Sequence, residues 1–403
     1  MLTDTSRYRK ANLALFIASF ITFSDIYMSQ PLLPLFAREF NLSSAEASLA
    51  VSLVIFPIGL SFLFYAPVAD VVGKKKLLST VLILSAFPGI ATSFSGSFEI
   101  ILLGRLADGL LLAGVPAIAM AYIGEEFDSK KLATVMGLYI SGNTLGGMGG
   151  RIISSFLAEY LSWRYSFMIL SLLHLAGAVA FAWLIPSPRS FKPAPYRPLK
   201  VLKTTAANMK NPLLLGAYIT GGFIMFNFVG IFNVLTFRLS APPYSFSSDT
   251  LGLLFLTYLS GTFSAALIGV ISGRRGVLFS ARAGLAIAAA GTCLTLFSSV
   301  PLIIIGLLVM CFGFFAAHSS ATSWVSAASG QDKAAASGLY VLFYYTGGSL
   351  AGVVLSPIWD RWGWPGVAAV SFFLFLACIP IIGWIAGQKK APVTGADSLL
   401  KKY

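Results

Sequence analysis

Four ionisable residues stand deep inside apolar segments of the first half of the chain: Asp25, Arg105, Asp108 and Arg151. An Asp or Arg at the centre of a membrane helix costs about 2.5–3.5 kcal/mol, so four unpaired charges would cost roughly 10–14 kcal/mol. That equals the whole stability of a typical domain, so the four must pair or face water. At the rise of an α-helix, Asp25 lies ~21 Å from the start of its segment and Arg105 ~10 Å from the start of its own, which runs the other way. In a core ~30 Å thick these depths nearly coincide. Arg151, ~28 Å along its segment, sits nearer the surface. Asp108 follows Arg105 by three residues and shares its helical face. Two readings are open. The residues form a fixed cluster locking spans one, four and five, or Asp25 or Asp108 takes up and releases a proton as an arginine withdraws and approaches, as intramembrane carboxylates in proton relays do. Asp25 is the stronger candidate of the two acids, because Asp108 is already beside Arg105.

Other polar residues in apolar segments are less specific. His174 and His318 are either hydrogen-bonded packing residues or proton carriers. Phe223, Phe226, Phe228 and Phe232, with Tyr340, Phe343, Tyr344 and Tyr345, either line an amphipathic substrate cavity with Gln30, Asn227 and Asn233 or serve as core and lipid-facing material. No nucleophile, base and metal ligands stand at catalytic spacing, so an enzyme, a metal site and a cofactor are not expected. Cys293, Cys311 and Cys378 fall inside apolar segments, which removes a disulfide framework.

The elements that must hold these residues are membrane helices. The chain is 57% hydrophobic and 11% charged, with a mean hydropathy of +0.83, a composition that excludes a water-soluble domain of this length. A helix needs about 20 mostly apolar residues to cross a bilayer. Six such stretches fall in each half: 11–36, 47–69, 76–95, 98–123, 132–157 and 163–185, then 212–238, 251–272, 283–299, 301–326, 334–357 and 365–387. The first is too long for a signal-peptide core. Net charge is +13, but its distribution speaks against nucleic acid. With loops assigned alternately, 22 of the 28 Lys and Arg fall on one side and 4 on the other, leaving Arg105 and Arg151 inside spans. By the positive-inside rule both termini face the cytoplasm.

The halves repeat. Gly137-Leu138-Tyr139 with Gly146-Gly147 recurs 201 residues on as Gly338-Leu339-Tyr340 with Gly347-Gly348, and Glu159 and Trp163 recur as Asp360 and Trp364. Between spans two and three, Asp70 and Gly73 have counterparts at offset 203, Gly273 and Gly276, in the loop between spans eight and nine, where Arg274 and Arg275 supply basic residues as Lys74 does in the first loop. Repeated halves buried in lipid imply two bundles rocking about a central site, as in secondary transporters. The division expected is a six-helix bundle over 1–185, a basic, proline-rich cytoplasmic linker over 186–211, a second bundle over 212–387 and a cytoplasmic tail over 388–403. Gly142, Asn143, Gly146, Gly147 and Gly150 in span five form a small-residue face for close helix packing and not a nucleotide loop, since no strand precedes them. Enlarging Gly146 or Gly147 is expected to wedge helices apart. Asn41-Leu42-Ser43 matches a glycosylation sequon and is given no role.

These motifs resemble the major facilitator superfamily over the full length of the chain. The loop Ala66-Pro67-Val68-Ala69-Asp70-Val71-Val72-Gly73-Lys74-Lys75-Lys76 is similar to its Gly-x-x-x-Asp-Arg-x-Gly-Arg-Lys signature, departing at Ala66 and Val71. Arg105 and Gly109 match its Arg-x-x-x-Gly motif in span four. Gly142 to Arg151 resembles the motif of proton-linked drug antiporters, with Asn143 where proline is usual. With Gln30-Pro31-Leu32-Leu33-Pro34, the chain looks most like bacterial inner-membrane transport proteins of the YnfM type. The resemblance implies an all-α membrane protein with 12 transmembrane helices in two six-helix bundles. It implies a monomeric proton-coupled exporter of small lipophilic or organic compounds, with the proton gradient and no cofactor as driving force. The loops at Asp70, Gly73 and Lys74 and at Gly273 and Arg274 would then act at the cytoplasmic gate. Two alternatives stay open: transport of a polar metabolite such as a sugar or organic anion gripped by Arg105 or Arg151, and a non-transporting receptor on a transporter fold.

The charge distribution fixes an expected topology. Reporter fusions after Lys203 and after Lys402 should both read as cytoplasmic, and a periplasmic signal at either would rule out twelve spans with the termini inside.

Overall fold

A computed structural model of the chain describes residues 5–188, 205–330 and 333–387. Most of the 186–211 linker and all of the 388–403 tail lie outside the described residues, as do residues 1–4.

Every regular element among the described residues is helical. Span one comprises α1 (Thr5–Tyr27), a 3-10 turn (Gln30–Leu32) and α2 (Leu33–Glu39). Spans two and three are α3 (Ser44–Val72) and α4 (Lys74–Ser93). Span four is split into α5 (Phe98–Leu112) and α6 (Val115–Glu126), and α7 (Ser129–Tyr160) and α8 (Trp163–Leu184) follow. Span seven is α9 (Pro212–Ser240). Span eight is α10 (Ser248–Leu253), a 3-10 turn (Leu254–Tyr258) and α11 (Leu259–Arg275). Then come α12 (Val277–Leu294), α13 (Val300–Ala328) and α14 (Lys333–Gly387), which holds spans eleven and twelve because its backbone turns at Gly363 (φ 62°, ψ −163°). Nine stretches of the described residues are apolar and long enough to cross a membrane, and one of them, Ala335–Gly383, contains that turn. α3 and α7 complete the twelve. α7 carries the glycine-rich motif and Arg151 within its length.

Two features of the sequence set the helix ends. Gly73 (φ 95°) separates α3 from α4 and Gly276 (φ 87°) separates α11 from α12, so the repeated loop glycines hold a backbone conformation that other L-residues resist. Span nine accordingly begins at Val277, six residues before the hydropathy estimate. Ser43 starts α3 with a capping box: its backbone N–H donates to Glu46 at 2.8 Å and its hydroxyl accepts from the Glu46 N–H at 3.2 Å. The sequon serine is thus a helix cap.

The chain divides into two compact units: the described parts of Met1–Pro198 with Leu239–Phe255, and those of Leu199–Arg238 with Leu256–Tyr403. In the first unit α7 packs along α1, and glycine permits this. A Cβ on Gly146 would lie 2.2 Å from the Phe20 carbonyl oxygen, one on Gly150 2.4 Å from that of Ser24, and one on Gly142 2.9 Å from Ser19 Cβ. Asn143 meets the Ser19 hydroxyl in the same seam. The second unit repeats the arrangement, since a Cβ on Gly347 would lie 2.0 Å from the Gly222 carbonyl oxygen. Gly147 differs. There the nearest atoms are Arg151 Nη1 at 3.4 Å and Tyr27 Cδ2 at 3.6 Å, so a methyl group fits at Gly147 where the α1 backbone blocks one at Gly146.

Gly146→Val should therefore cut the yield of folded protein and its melting temperature in detergent, because backbone atoms of α1 block the side chain. Gly147→Ala should leave both close to wild type. Equal losses at the two positions would show that the seam does not depend on the Phe20 contact.

Candidate functional site

The first unit gathers its charges around a break in span one. Pro31 has no N–H, and the residue before a proline is biased away from helical geometry, so Gln30-Pro31 disfavours continuation of α1, which ends at Tyr27. A helix end leaves its last carbonyls without intrahelical partners, and inside a membrane these must be met by neighbouring protein. Arg105 of α5 meets them. Its Nη2 donates to the carbonyls of Asp25 and Ile26, both at 2.8 Å, and its Nε to that of Ala50 at 3.4 Å. A cation there also complements the negative end of the α1 dipole.

The same guanidinium collects both acids. Nη1 lies 2.9 Å from Asp25 Oδ1 and 2.9 Å from Asp108 Oδ2, and the three side chains are 0%, 4% and 0% exposed. The five donors of Arg105 thus each have an acceptor. Phe167 closes one side, its ring centre 6.0 Å from Cζ.

Arg151 has a different set of partners. Its Nε donates to Gln30 Oε1 at 2.7 Å and its Nη1 to the Gly147 carbonyl at 2.6 Å, while the guanidinium stacks on Tyr27 (4.0 Å) and Phe255 (4.7 Å). Gln30, expected among cavity residues, is fully buried against it.

His174 of α8 joins the cluster, its Nδ1 3.4 Å from Asp25 Oδ2. In the sequence alone it is open between a packing residue and a proton carrier. Only the folded chain puts it beside Asp25, 149 residues away, and no spacing signals that.

At the Lys74 end of the unit, Lys74 Nζ lies 2.9 Å from Glu125 and 3.7 Å from Asp70. A charge link between α4 and α6 therefore exists although the signature motif departs at Ala66 and Val71. In the second unit Gly273 and Arg274 are exposed, and Arg275 lies over the Phe279 ring.

The second unit is aromatic where the first is charged. Phe228 stacks on Phe314 with ring centres 3.7 Å apart, and Tyr258 lies 4.8 Å from Phe228. His318 sits beside Tyr344 (4.6 Å) and meets the Tyr340 hydroxyl at 2.8 Å through Nδ1. Phe226, Asn227 and Asn233 are all buried, and neither amide atom of Asn227 has a hydrogen-bond partner. An apolar cavity of ≈ 630 Å³ against Leu84, Phe87 and Leu103 in the first unit touches none of these residues.

The sequence model of the Major Facilitator Superfamily matches residues 15–352. The chain belongs to this superfamily. It is 35% identical over 389 residues to the inner membrane transport protein YnfM of Escherichia coli strain K12, covering 96% of this chain and 91% of that one. It is 33% identical over 388 residues to the uncharacterized MFS-type transporter YybF of Bacillus subtilis, covering 96% of each. Among solved structures, a bacterial homologue of the human lysosomal transporter Spinster, inward-facing and occupied, matches with a TM-score of 0.77 at 16% identity over 97% of this chain and all of that one. The human organic anion transporter MFSD10 matches with a TM-score of 0.68 at 17% identity, over 94% of this chain and all of that one. At such identities the structures speak for the fold. The chain is a multi-pass membrane transporter of the major facilitator fold and not an enzyme.

Breaking a buried charge pair by removing one partner costs about 3–5 kcal/mol. Arg105→Ala, which strands two carboxylates and three carbonyls, should lose at least that much, read as a large fall in thermal stability in detergent. Adding Asp25→Asn and Asp108→Asn should recover part of the loss. An Arg105→Ala protein as stable as wild type would mean that the guanidinium does not hold span one.

Proposed function

We propose that the chain is a proton-coupled antiporter that exports small lipophilic or otherwise organic compounds by alternating access. It would work as a single copy in a bacterial inner membrane with both termini in the cytoplasm. One observation carries the reading: two carboxylates share a single arginine inside a fully buried site. Asp25, Asp108 and Arg105 sum to one negative charge, which is expensive at that depth, so binding one proton there is favoured. A site neutral only when protonated can tie proton occupancy to conformation, because the two protonation states prefer different arrangements.

Protonated Asp25 holds Arg105 less strongly, since the charge-assisted bond at Oδ1 weakens to a neutral one. Arg105 also caps α1, so the change reaches the span against which α7 packs. The aromatic interior of the second unit supports a lipophilic cargo, as apolar and aromatic surfaces bind such molecules. Arg105 has no donor left for an anionic substrate, which weighs against its gripping a polar metabolite.

Asp25→Asn tests the reading in sealed proteoliposomes. The amide imitates one protonation state permanently, so gradient-driven transport should vanish while substrate counterflow persists. Unchanged gradient-driven transport would move the proton to another group and leave Asp25 a structural charge.

A further inference from the structure

The surroundings of His174 specify where its hydrogens sit. Nε2 lies 3.1 Å from the Leu82 carbonyl and 2.9 Å from Ser85 Oγ. The Ser85 hydroxyl also reaches that carbonyl, at 3.0 Å. A carbonyl only accepts, so the hydrogen bond between Nε2 and Leu82 places a hydrogen on Nε2. A neutral imidazole has one N–H, which would leave Nδ1 as a lone pair. Yet Nδ1 faces Asp25 Oδ2 at 3.4 Å, and neither atom completes a regular hydrogen bond to any other group. The Ile21 carbonyl, another acceptor, also faces the ring. Two bare acceptors at this distance in a buried site repel unless a proton lies between them.

The charge of the cluster leads to the same place. Asp25 comes from α1, Arg105 and Asp108 from α5. From α4 come only the Ser85 hydroxyl and the Leu82 carbonyl, and Arg151 of α7 is engaged with Gln30 and the Gly147 carbonyl. Without the histidine the set carries one net negative charge, and one added proton makes it neutral. Asp25 Oδ1 faces Arg105 and Oδ2 faces His174, so this carboxylate stands between a permanent cation and a switchable one.

We propose that Asp25 and His174 jointly hold one exchangeable proton between Oδ2 and Nδ1, making His174 a positioning residue of the coupling site. This deepens the proton-coupled reading and rests on it for its role in transport. The pair itself is defined by the geometry alone. When the proton sits on Oδ2, Asp25 is neutral and its bond to Arg105 weakens; when it sits on Nδ1, an imidazolium faces an ionised Asp25; in both cases the cluster is neutral. When it leaves, the ring is neutral with Nδ1 bare, and Asp25 keeps Arg105 as its cation.

The chain contains two histidines, so ring-nitrogen NMR of the full-length protein labelled with 15N-histidine in lipid would resolve both. His318→Gln assigns the His174 signals without touching the cluster. Across a pH series His174 should pass between an imidazolium and a neutral ring with hydrogen on Nε2, and Asp25→Asn should displace or abolish that transition. A His174 ring neutral at every pH, or a transition indifferent to Asp25→Asn, would overturn the pair and leave Asp108 as the proton site. Flux separates the two claims. His174→Gln should shift the pH profile of gradient-driven transport and leave counterflow intact, and an unmoved profile would count against the pair's role. A shared proton seen by NMR together with unchanged flux in Asp25→Asn would sink the coupling reading but not the pair. Lost flux with a permanently neutral His174 would do the reverse.

Discussion

The first unit depends on one guanidinium. Arg105 serves the carbonyls freed where span one breaks, and the same group neutralises Asp25 and half-neutralises the pair with Asp108. Neither task would be met without the other. A broken helix at membrane depth needs donors that water cannot supply, and a buried arginine needs acceptors that lipid cannot supply. The break at Gln30-Pro31 and the arginine in span four thus explain each other.

The repeat shows which features belong to the fold and which were laid over it. Both halves keep the glycine seam, at Gly146 against Phe20 and at Gly347 against Gly222, and both keep a left-handed loop glycine, at Gly73 and Gly276. Each also builds a polar clasp around its repeated tryptophan. Trp163 and Arg164 hold Glu39, with Arg164 reaching the Ser95 carbonyl. Trp364 and Arg238 meet at Thr295, which lies 200 residues after Ser95. The charge cluster has no such echo. At an offset of 201, Asp25, Arg105, Asp108 and His174 correspond to Phe226, Gly306, Val309 and Phe375, and span seven runs unbroken as Pro212–Ser240. A six-helix half therefore folds without these charges, so structure alone does not account for their cost in the other half.

Hydropathy, charge bias and the internal repeat made the helices legible in the sequence, because each is a property of consecutive or regularly spaced residues. Depth along a straight helix was enough to match Asp25 with Arg105. Rotation about each helix axis was not encoded in any local pattern, which is why Arg151 was grouped with the acids but is held by Gln30 and the Gly147 carbonyl. It is also why His174 was not linked to Asp25. The breaks in spans one, four and eight were hidden by hydropathy, since the residues on either side of each break are equally apolar, although Pro31 and Pro116 mark two of them.

The bonding of Arg105 also indicates which part of the site can move. Three of its hydrogen bonds go to backbone carbonyls on α1 and α3, fixed by the helices themselves. The other two go to carboxylates, whose strength as acceptors depends on protonation. The arginine is therefore the anchored element and the carboxylates the variable ones. Asp25 differs from Asp108 in having His174 as a second neighbour, so under the proposed coupling a small rotation of its carboxyl would redistribute charge between α5 and α8 while the carbonyls at the end of α1 stay bonded to Arg105. A cluster built this way changes its electrostatics while keeping its backbone satisfied, a condition any titrating site inside a membrane must meet.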